Sequence, residues 1–226
     1  MRLNPAEPAD GSCIYQLRIV LRDISPLIWR RVRVHSGICI AELHAVLQIV
    51  MDWDDIHLHR FCIHGKDYGI ARSGGMGFAD DPWQVRLCDF RLHQRERFLY
   101  EYDFIDGWVI EIRLEDRLKP NPAEHYPVCT AGRRAAPLEG CGGPRLYQRA
   151  SARHRYDFPL EDLERVADTV QRFLDTGDRS ALGDPDTLRS ALERLEAYYE
   201  FQPDHFDRRA INARLWHRAN SVGGEV

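Results

Sequence analysis

Two thiols, a scatter of histidines and a group of carboxylates are the side chains of this chain that can carry chemistry. Cys129 and Cys141, with His125 nearby, offer two thiolates and an imidazole, which is the donor chemistry of zinc. Eleven residues separate the two cysteines, wider than a tight knuckle, and a fourth local ligand is missing. Buried thiols are the plain alternative. His57 and His59 stand two apart and would point to one face of a strand, a spacing that can hold a metal if a third ligand arrives from elsewhere. Asp103, Asp106, Glu111 and Glu139 could act as general acid and base or hold Mg²⁺. Asp103 and Glu139 are the catalytic candidates of that group, against the reading of a solvated face and a turn aspartate.

The remaining candidates are binding residues. Trp29, Arg30 and Arg31 adjoin and could clamp a ligand, or form an exposed strand face with packed stems. Between residues 129 and 156, Arg133, Arg134, Arg145, Arg149, Arg153 and Arg155 are opposed only by Glu139, with Tyr147 and Tyr156 interleaved. Such a patch can hold phosphates, or be an ordinary charged loop. Ser73-Gly74-Gly75-Met76-Gly77 could cradle a phosphate but lacks the Lys-Ser/Thr of a P-loop, so it reads as a flexible loop. Nucleophile elbow, dinucleotide fingerprint, HExxH and kinase signatures are absent from the sequence.

Composition bounds these readings. The 226 residues are 44% hydrophobic and 29% charged, an ordinary globular balance with enough chain to bury a core unaided. The formal net charge of -4 argues against a whole-surface nucleic-acid footprint. No apolar run reaches eighteen residues, so no helix is expected to span a membrane. Met1 to Gly11 is polar with two prolines and no apolar core of a signal peptide, which points to the cytoplasm and reduced cysteines.

The elements that would position the candidates follow from periodicity. Tyr15, Leu17, Ile19 and Leu21 alternate with polar residues, Asp23 to Pro26 supplies a turn, and Ile28, Val32 and Val34 share a parity interrupted by Arg30. Ile40, Leu43, Leu47 and Val50 recur at helical spacing over 38–51, with His44 at the edge of that stripe as a core or boundary residue. Residues 57–63 read as a strand and 64–84 as a loop. Phe98, Tyr100, Tyr102 and Phe104 form one row, and Trp108, Ile110, Ile112 and Leu114 another. Only an odd loop puts both rows on one face, so Ile105-Asp106-Gly107 is expected to join strands near 98–104 and 107–115, with Gly107 left-handed. Residues 116–156, rich in proline and glycine, read as a long irregular segment. Asp157-Pro159, Asp184-Pro185 and Asp207 open three helices, the first stopped by Gly177. The expected fold is α+β: a mixed or antiparallel sheet, a helix in the N-terminal half, and a C-terminal group of helices packed on the sheet. Residues 1–12 form a polar tail and 13–226 a single domain, mainly helical over 157–218.

Taken in order, several stretches resemble the plasmid pRiA4b ORF-3-like family. They are Pro26-Leu27-Ile28-Trp29-Arg30-Arg31, Leu43-His44, Asp52-Trp53 leading to His57-Leu58-His59-Arg60-Phe61, and Phe98 to Phe104 with Asp106-Gly107-Trp108. Tyr126-Pro127-Val128-Cys129, the run from Pro137 to Gly143, and Phe206-Asp207 with Asn212 and Leu215 complete the series. The resemblance covers residues 13 to about 218. Ile105 stands where the family usually has Gly, Ile110 where it has His, and Pro137-Leu138-Glu139-Gly140 replaces a Pro-Pro-Glu-Asp stretch. The family brings no established activity. Some relatives carry resolvase-like (TnpR) names or attached repressor-type DNA-binding domains, which implies a mobile-element setting, yet this chain has no recombinase serine motif.

Three functions are therefore open. The leading one is a non-enzymatic binding or accessory module of a plasmid or transposon, its surface made by the aromatic hairpin and the Gly-rich loop. The second is a metal-dependent hydrolase or nuclease using Asp103, Glu139 and His57 or His59. The third is nucleic-acid binding through the basic 133–155 segment. No cofactor is expected, zinc being the metal the cysteines would take. DNA or another mobile-element protein are the partners considered, and a membrane is not.

Overall fold

The structure, a computed structural model, describes residues 13–222. The tail expected at 1–12 lies outside the described residues. The α+β expectation holds, with an all-antiparallel sheet of seven strands in the order β4-β3-β5-β6-β1-β2-β7. These are β1 Ile14–Leu21, β2 Trp29–His35, β3 His59–Ile63, β4 Lys66–Tyr68, β5 Arg97–Tyr102, β6 Trp108–Leu118 and β7 Val128–Arg133. The helices are α1 Ile40–Met51, α2 Gly143–Tyr156, α3 Leu160–Thr176, α4 Pro185–Glu200 and α5 Arg208–Val222. No helix among the described residues is long and apolar enough to cross a membrane.

The chain divides into two compact units. One holds the sheet, α1 and α5 and runs to Tyr147, resuming at Asp204. The other is Gln148–Pro203, where α3 and α4 pack together and Arg194 pairs with Asp162 at 2.6 Å. In the first unit, the alternation of β1, β5 and β6 turns Leu17, Ile19, Phe98, Tyr100, Ile110 and Ile112 to one face, all buried. α1 lies on that face. It is apolar almost all round, and Arg30, turned inward from β2, donates to the carbonyl of Val50 at its C-terminal end (2.9 Å). Burial pushes the Arg30 guanidinium down to about 10, opposed by nearby Cys129 and Asp52, and the side chain is roofed by the Phe206 ring at 4.6 Å. Arg30 and Arg31 thus leave the sheet on opposite faces, and the adjacent pair does not form a clamp.

The hairpin has the predicted parity but a longer loop. Tyr102 pairs with Trp108, so five residues connect β5 to β6 rather than three. The cause is Asp103, which adopts φ 53° and accepts from the N–H groups of Ile105 (3.1 Å) and Asp106 (3.3 Å) through Oδ1. That local side-chain closure ends the strand two residues early. Five and three are both odd, so Phe98, Tyr100, Tyr102, Trp108, Ile110 and Ile112 are all buried, while Phe104 falls outside and is 41% exposed. Gly107 has φ +71°, as its turn requires.

The irregular segment expected over 116–156 is largely ordered into elements. β6 continues to Leu118, β7 pairs with β2, and α2 starts at Gly143. β7 is an edge strand, and α5 closes it. Asn212 accepts from the Cys129 N–H (2.7 Å) and donates to its carbonyl (3.0 Å), pairing with the edge as a neighbouring strand would. Arg208 adds a bond to the Thr130 carbonyl at 2.9 Å, and Asp207 accepts from the first N–H groups of α5. Residues 64–84 are a loop apart from the three-residue β4. Of the first four cysteines only Cys39 is buried, and all six are free.

Candidate functional site

At one end of the sheet three loops meet, 52–58 after α1, 103–107 between β5 and β6, and 137–143 before α2. Polar pins hold them. Trp53, stacked on Tyr102 at 4.8 Å, donates from its indole to the Pro137 carbonyl (2.9 Å). Glu139 takes the hydroxyl of Tyr102 on one oxygen and the N–H of Asp54 on the other (2.8 Å). Burial and the Glu139 carboxylate both push the Tyr102 phenol above its ordinary range. The Tyr102 oxygen also accepts from the N–H of Ile56 at 3.1 Å. Asp106 accepts from the N–H of Gly142 (3.0 Å), and buried Asp103 faces His57 at 3.5 Å. Burial, with Asp106 adding, raises the Cys141 thiol above its ordinary value.

Gly143 makes the approach of Asp106 to the 137–143 loop possible. Its φ is +80°, and a Cβ there would stand 2.3 Å from the Asp106 carbonyl oxygen. Gly143→Ala is therefore expected to lower stability by roughly 1–3 kcal/mol, read as a lower urea midpoint with an unchanged m-value.

The loops carry apolar side chains outward. Ile105 is 93% exposed, Leu138 67% and Ile56 66%, with Phe104 and Leu146 also open. Among them stand the carboxylates of Asp54, Asp106 and Glu139, for which the described residues supply no arginine or lysine partner. Other carboxylates, such as Glu115, Glu124, Glu101 and Asp162, do have arginine partners.

Beneath this rim lies a second polar cluster. Among the described residues, His44, Asp55 and His59 are the set of histidine, cysteine and acid side chains whose ligand atoms lie within 4.8 Å of one another. Their hydrogen bonds decide what the set is. The tautomer that satisfies every partner has His44 Nε2–H donating to Asp55 (2.8 Å) and Nδ1 accepting from the Tyr100 hydroxyl (2.8 Å). Gln48 donates to Tyr100 (2.8 Å) and accepts from the Asp55 N–H (3.1 Å), closing a ring. Arg72 takes the same Asp55 oxygen at 2.5 Å. His59, stacked on His44 at 3.6 Å, accepts the Ile70 N–H on Nε2 (3.3 Å). Both ring nitrogens of His44, Oδ1 of Asp55 and Nε2 of His59 are engaged in hydrogen bonds, while His59 Nδ1 is buried without a hydrogen-bond partner. The ring of His44, Asp55, Gln48 and Tyr100 is a hydrogen-bond network that fixes the 52–58 loop on α1 and β5.

The sequence candidates disperse around these features. His59 joins His44, while His57 turns to Asp103. Asp103 and Glu139 serve different loops, each with its own partners. Cys129 lies on β7 with its thiol toward the Ala131 carbonyl (3.5 Å), Cys141 sits in the 137–143 loop, and His125 packs edge-on to Trp216. Of the basic segment, Arg134 turns inward to Asp204 (3.0 Å) and Tyr147 is buried against Trp108. Arg145, Arg149 and Arg153 are exposed on α2 at four-residue spacing. Glu111 pairs with Arg97 at 3.2 Å on the sheet. His44 and Asp55 were not legible as a pair, because they come from a helix and the loop behind it.

The family model described as plasmid pRiA4b ORF-3-like protein matches residues 13–210. An uncharacterized protein, y4hQ, of Sinorhizobium fredii (strain NBRC 101917 / NGR234) is 31% identical over 144 residues, 60% of this chain and 70% of that protein. A crystal structure of a protein of unknown function, MM3350 from Methanosarcina mazei Go1, aligns with a TM-score of 0.60 and 27% identity, covering 87% of this chain and 96% of that one.

Proposed function

The chain belongs to the plasmid pRiA4b ORF-3-like family, and within it we propose that this member is a non-enzymatic binding module whose three-loop rim takes a protein segment bearing basic side chains beside apolar ones. The observation that carries this reading is the rim itself. Ile56, Ile105 and Leu138 are held out to solvent by loops tied to one another by hydrogen bonds, around carboxylates left without cationic partners among the described residues. Exposed apolar residues grouped on a rigid scaffold mark interaction sites, and unpaired carboxylates among them select a cationic partner. Two of the three departures from the family pattern fall here too, at Ile105 and at Leu138-Glu139-Gly140, the third, Ile110, being buried in β6, so the rim is where this member's specificity would differ from that of relatives. Of the residues of the hydrolase reading, His57 and Asp103 face each other at 3.5 Å, Glu139 takes the Tyr102 hydroxyl and His59 stacks on His44, so among the described residues the four do not gather around one metal position, which favours binding over catalysis.

The test is a selection from a random displayed-peptide library on the immobilised protein. Sequences pairing arginine or lysine with leucine, isoleucine or phenylalanine should be enriched. Leu138→Asp and Ile105→Asp should abolish that enrichment while leaving the melting temperature within about 2 °C, since both side chains are solvent-exposed. No enrichment, or enrichment indifferent to both substitutions, would sink the proposal.

A further inference from the structure

The face of the sheet opposite the core carries a row of arginines. The register places Arg31 of β2 opposite Arg18 of β1, Arg18 opposite Arg113 of β6, and Arg113 opposite Arg97 of β5. Four neighbouring strands thus each contribute one guanidinium to a line about 14 Å long, three strand spacings. Like charges directly opposite across strands destabilise a sheet, so such a row calls for anions to offset it.

The chain supplies fewer than the row needs. Glu115, the extra residue where the β1–β6 register shifts, bonds Arg31 at 2.5 Å and stands 3.8 Å from both Arg18 and Arg113. Three arginines hold its carboxyl below the usual range, the bond from Arg31 first. Glu111 pairs with Arg97 at 3.2 Å. Four cations against two carboxylates leave two positive charges on the line. Beside it, Trp29 stacks under Arg18 at 4.5 Å, and exposed Arg133 of β7 is register partner to Trp29 on the same face. Three of the sequence candidates, Trp29, Arg31 and Arg133, come together here, joined by Arg18, Arg97 and Arg113.

We infer that this sheet face binds the phosphodiester backbone of nucleic acid, the arginine row engaging successive phosphates without reading bases. A regular line of planar, permanently charged forks suits repeated phosphates better than one small anion, and Glu115 occupies the place an incoming phosphate would share. The Trp29 ring is already engaged by two guanidinium groups of the row, Arg18 at 4.5 Å and Arg31 at 5.8 Å from its centroid, so the recognition is assigned to the phosphates rather than to base stacking.

Fluorescence anisotropy with a short labelled single-stranded oligonucleotide, its duplex, and heparin as competitor tests this on the full chain. Wild type should bind at low salt, with affinity falling linearly in log–log against salt. Arg18→Gln with Arg113→Gln should reduce the single-strand salt slope by about 1.4, the share of two phosphates. Glu115→Gln, which removes a competing carboxylate, should bind several-fold tighter, an outcome a merely structural role for Glu115 would not give. Arg97→Gln, at the open end of the row, keeps the test standing if the double variant fails to fold. Absence of binding at low salt, binding of heparin alone, an unchanged slope, or E115Q no tighter than wild type would each overturn the inference. So would loss of binding in an Arg145, Arg149 and Arg153 triple glutamine variant with the row variants unaffected.

Discussion

Replacing Trp108 by alanine is expected to destabilise the protein by about 3–5 kcal/mol, the range for removing a fully buried tryptophan. The ring is 1% exposed, opens β6 opposite Tyr102, and meets both Trp53 and Tyr147 at 6.4 Å. Its loss would leave a cavity directly under the loops that Trp53 and Tyr102 pin to Pro137 and Glu139, so the rim should loosen with the core. Trp108→Phe should cost far less, about 1–2 kcal/mol, because the indole N–H is buried without a protein partner and its removal offsets part of the lost contact. Phe104→Ala should change stability by no more than about 0.5 kcal/mol. Urea unfolding of the three variants checks the ordering. A Trp108→Ala cost below that of Trp108→Phe would show that the core is not built as described.

That contrast between Trp108 and Phe104 shows what was legible in the sequence. Alternation alone put both rings in apolar rows, and parity alone required an odd loop. The parity argument holds in the structure, and the alternation holds as far as Tyr102, with Phe104 outside the strand and exposed. Neither could choose between three and five residues, because the choice was made by the Asp103 side chain bonding the N–H groups of Ile105 and Asp106. β7 was missed for a different reason. Val128-Cys129-Thr130-Ala131-Gly132 has hardly any apolar row of its own, and it is a strand because β2 pairs with one edge and Asn212 of α5 satisfies the other. α2 was missed because its arginine-rich sequence buries only Gly143 and Tyr147, too little to print a helical stripe. For the sites, spacing pointed to His57 with His59, two apart in sequence. The structure instead stacks His59 on His44, fifteen positions away, and no local pattern can signal a contact between a helix and a strand three turns of chain apart. The arginine row was hidden in the same way. Each member reads as an ordinary outward strand residue, and only the register of four strands lines them up.

Stability should fall as pH drops from about 6.5 toward 3, by roughly 2–3 kcal/mol between pH 6.5 and 4.5, through His59 alone. The ring is 3% exposed, and burial pushes its pKa down to about 3, with the neighbouring His44 and Arg72 adding to the effect and Asp55 opposing it. The sign follows from proton counts. Between the two pKa values the unfolded chain carries a proton on His59 that the folded chain refuses, so acid favours unfolding, at about 1.36 kcal/mol per pH unit at most. Asp55 acts in the same direction but later. Burial would raise its pKa, yet the hydrogen bond from His44 and the charge of Arg72 lower it below the usual carboxylate value, so its contribution persists until pH falls beneath the ordinary range near 3.8. A measurement at pH 4.5 therefore separates His59 from Asp55. His59→Leu removes the titrating group from a site already lined by Phe61 and Tyr100, and its urea midpoint should be nearly level from pH 6.5 to 4.5 while that of wild type drops. Equal slopes for the two proteins would mean that protonated His59 is accommodated in the fold. The buried ring of His44, Tyr100, Gln48 and Asp55 would then have to open to admit the charge, and with it the loop that presents Ile56 to the rim.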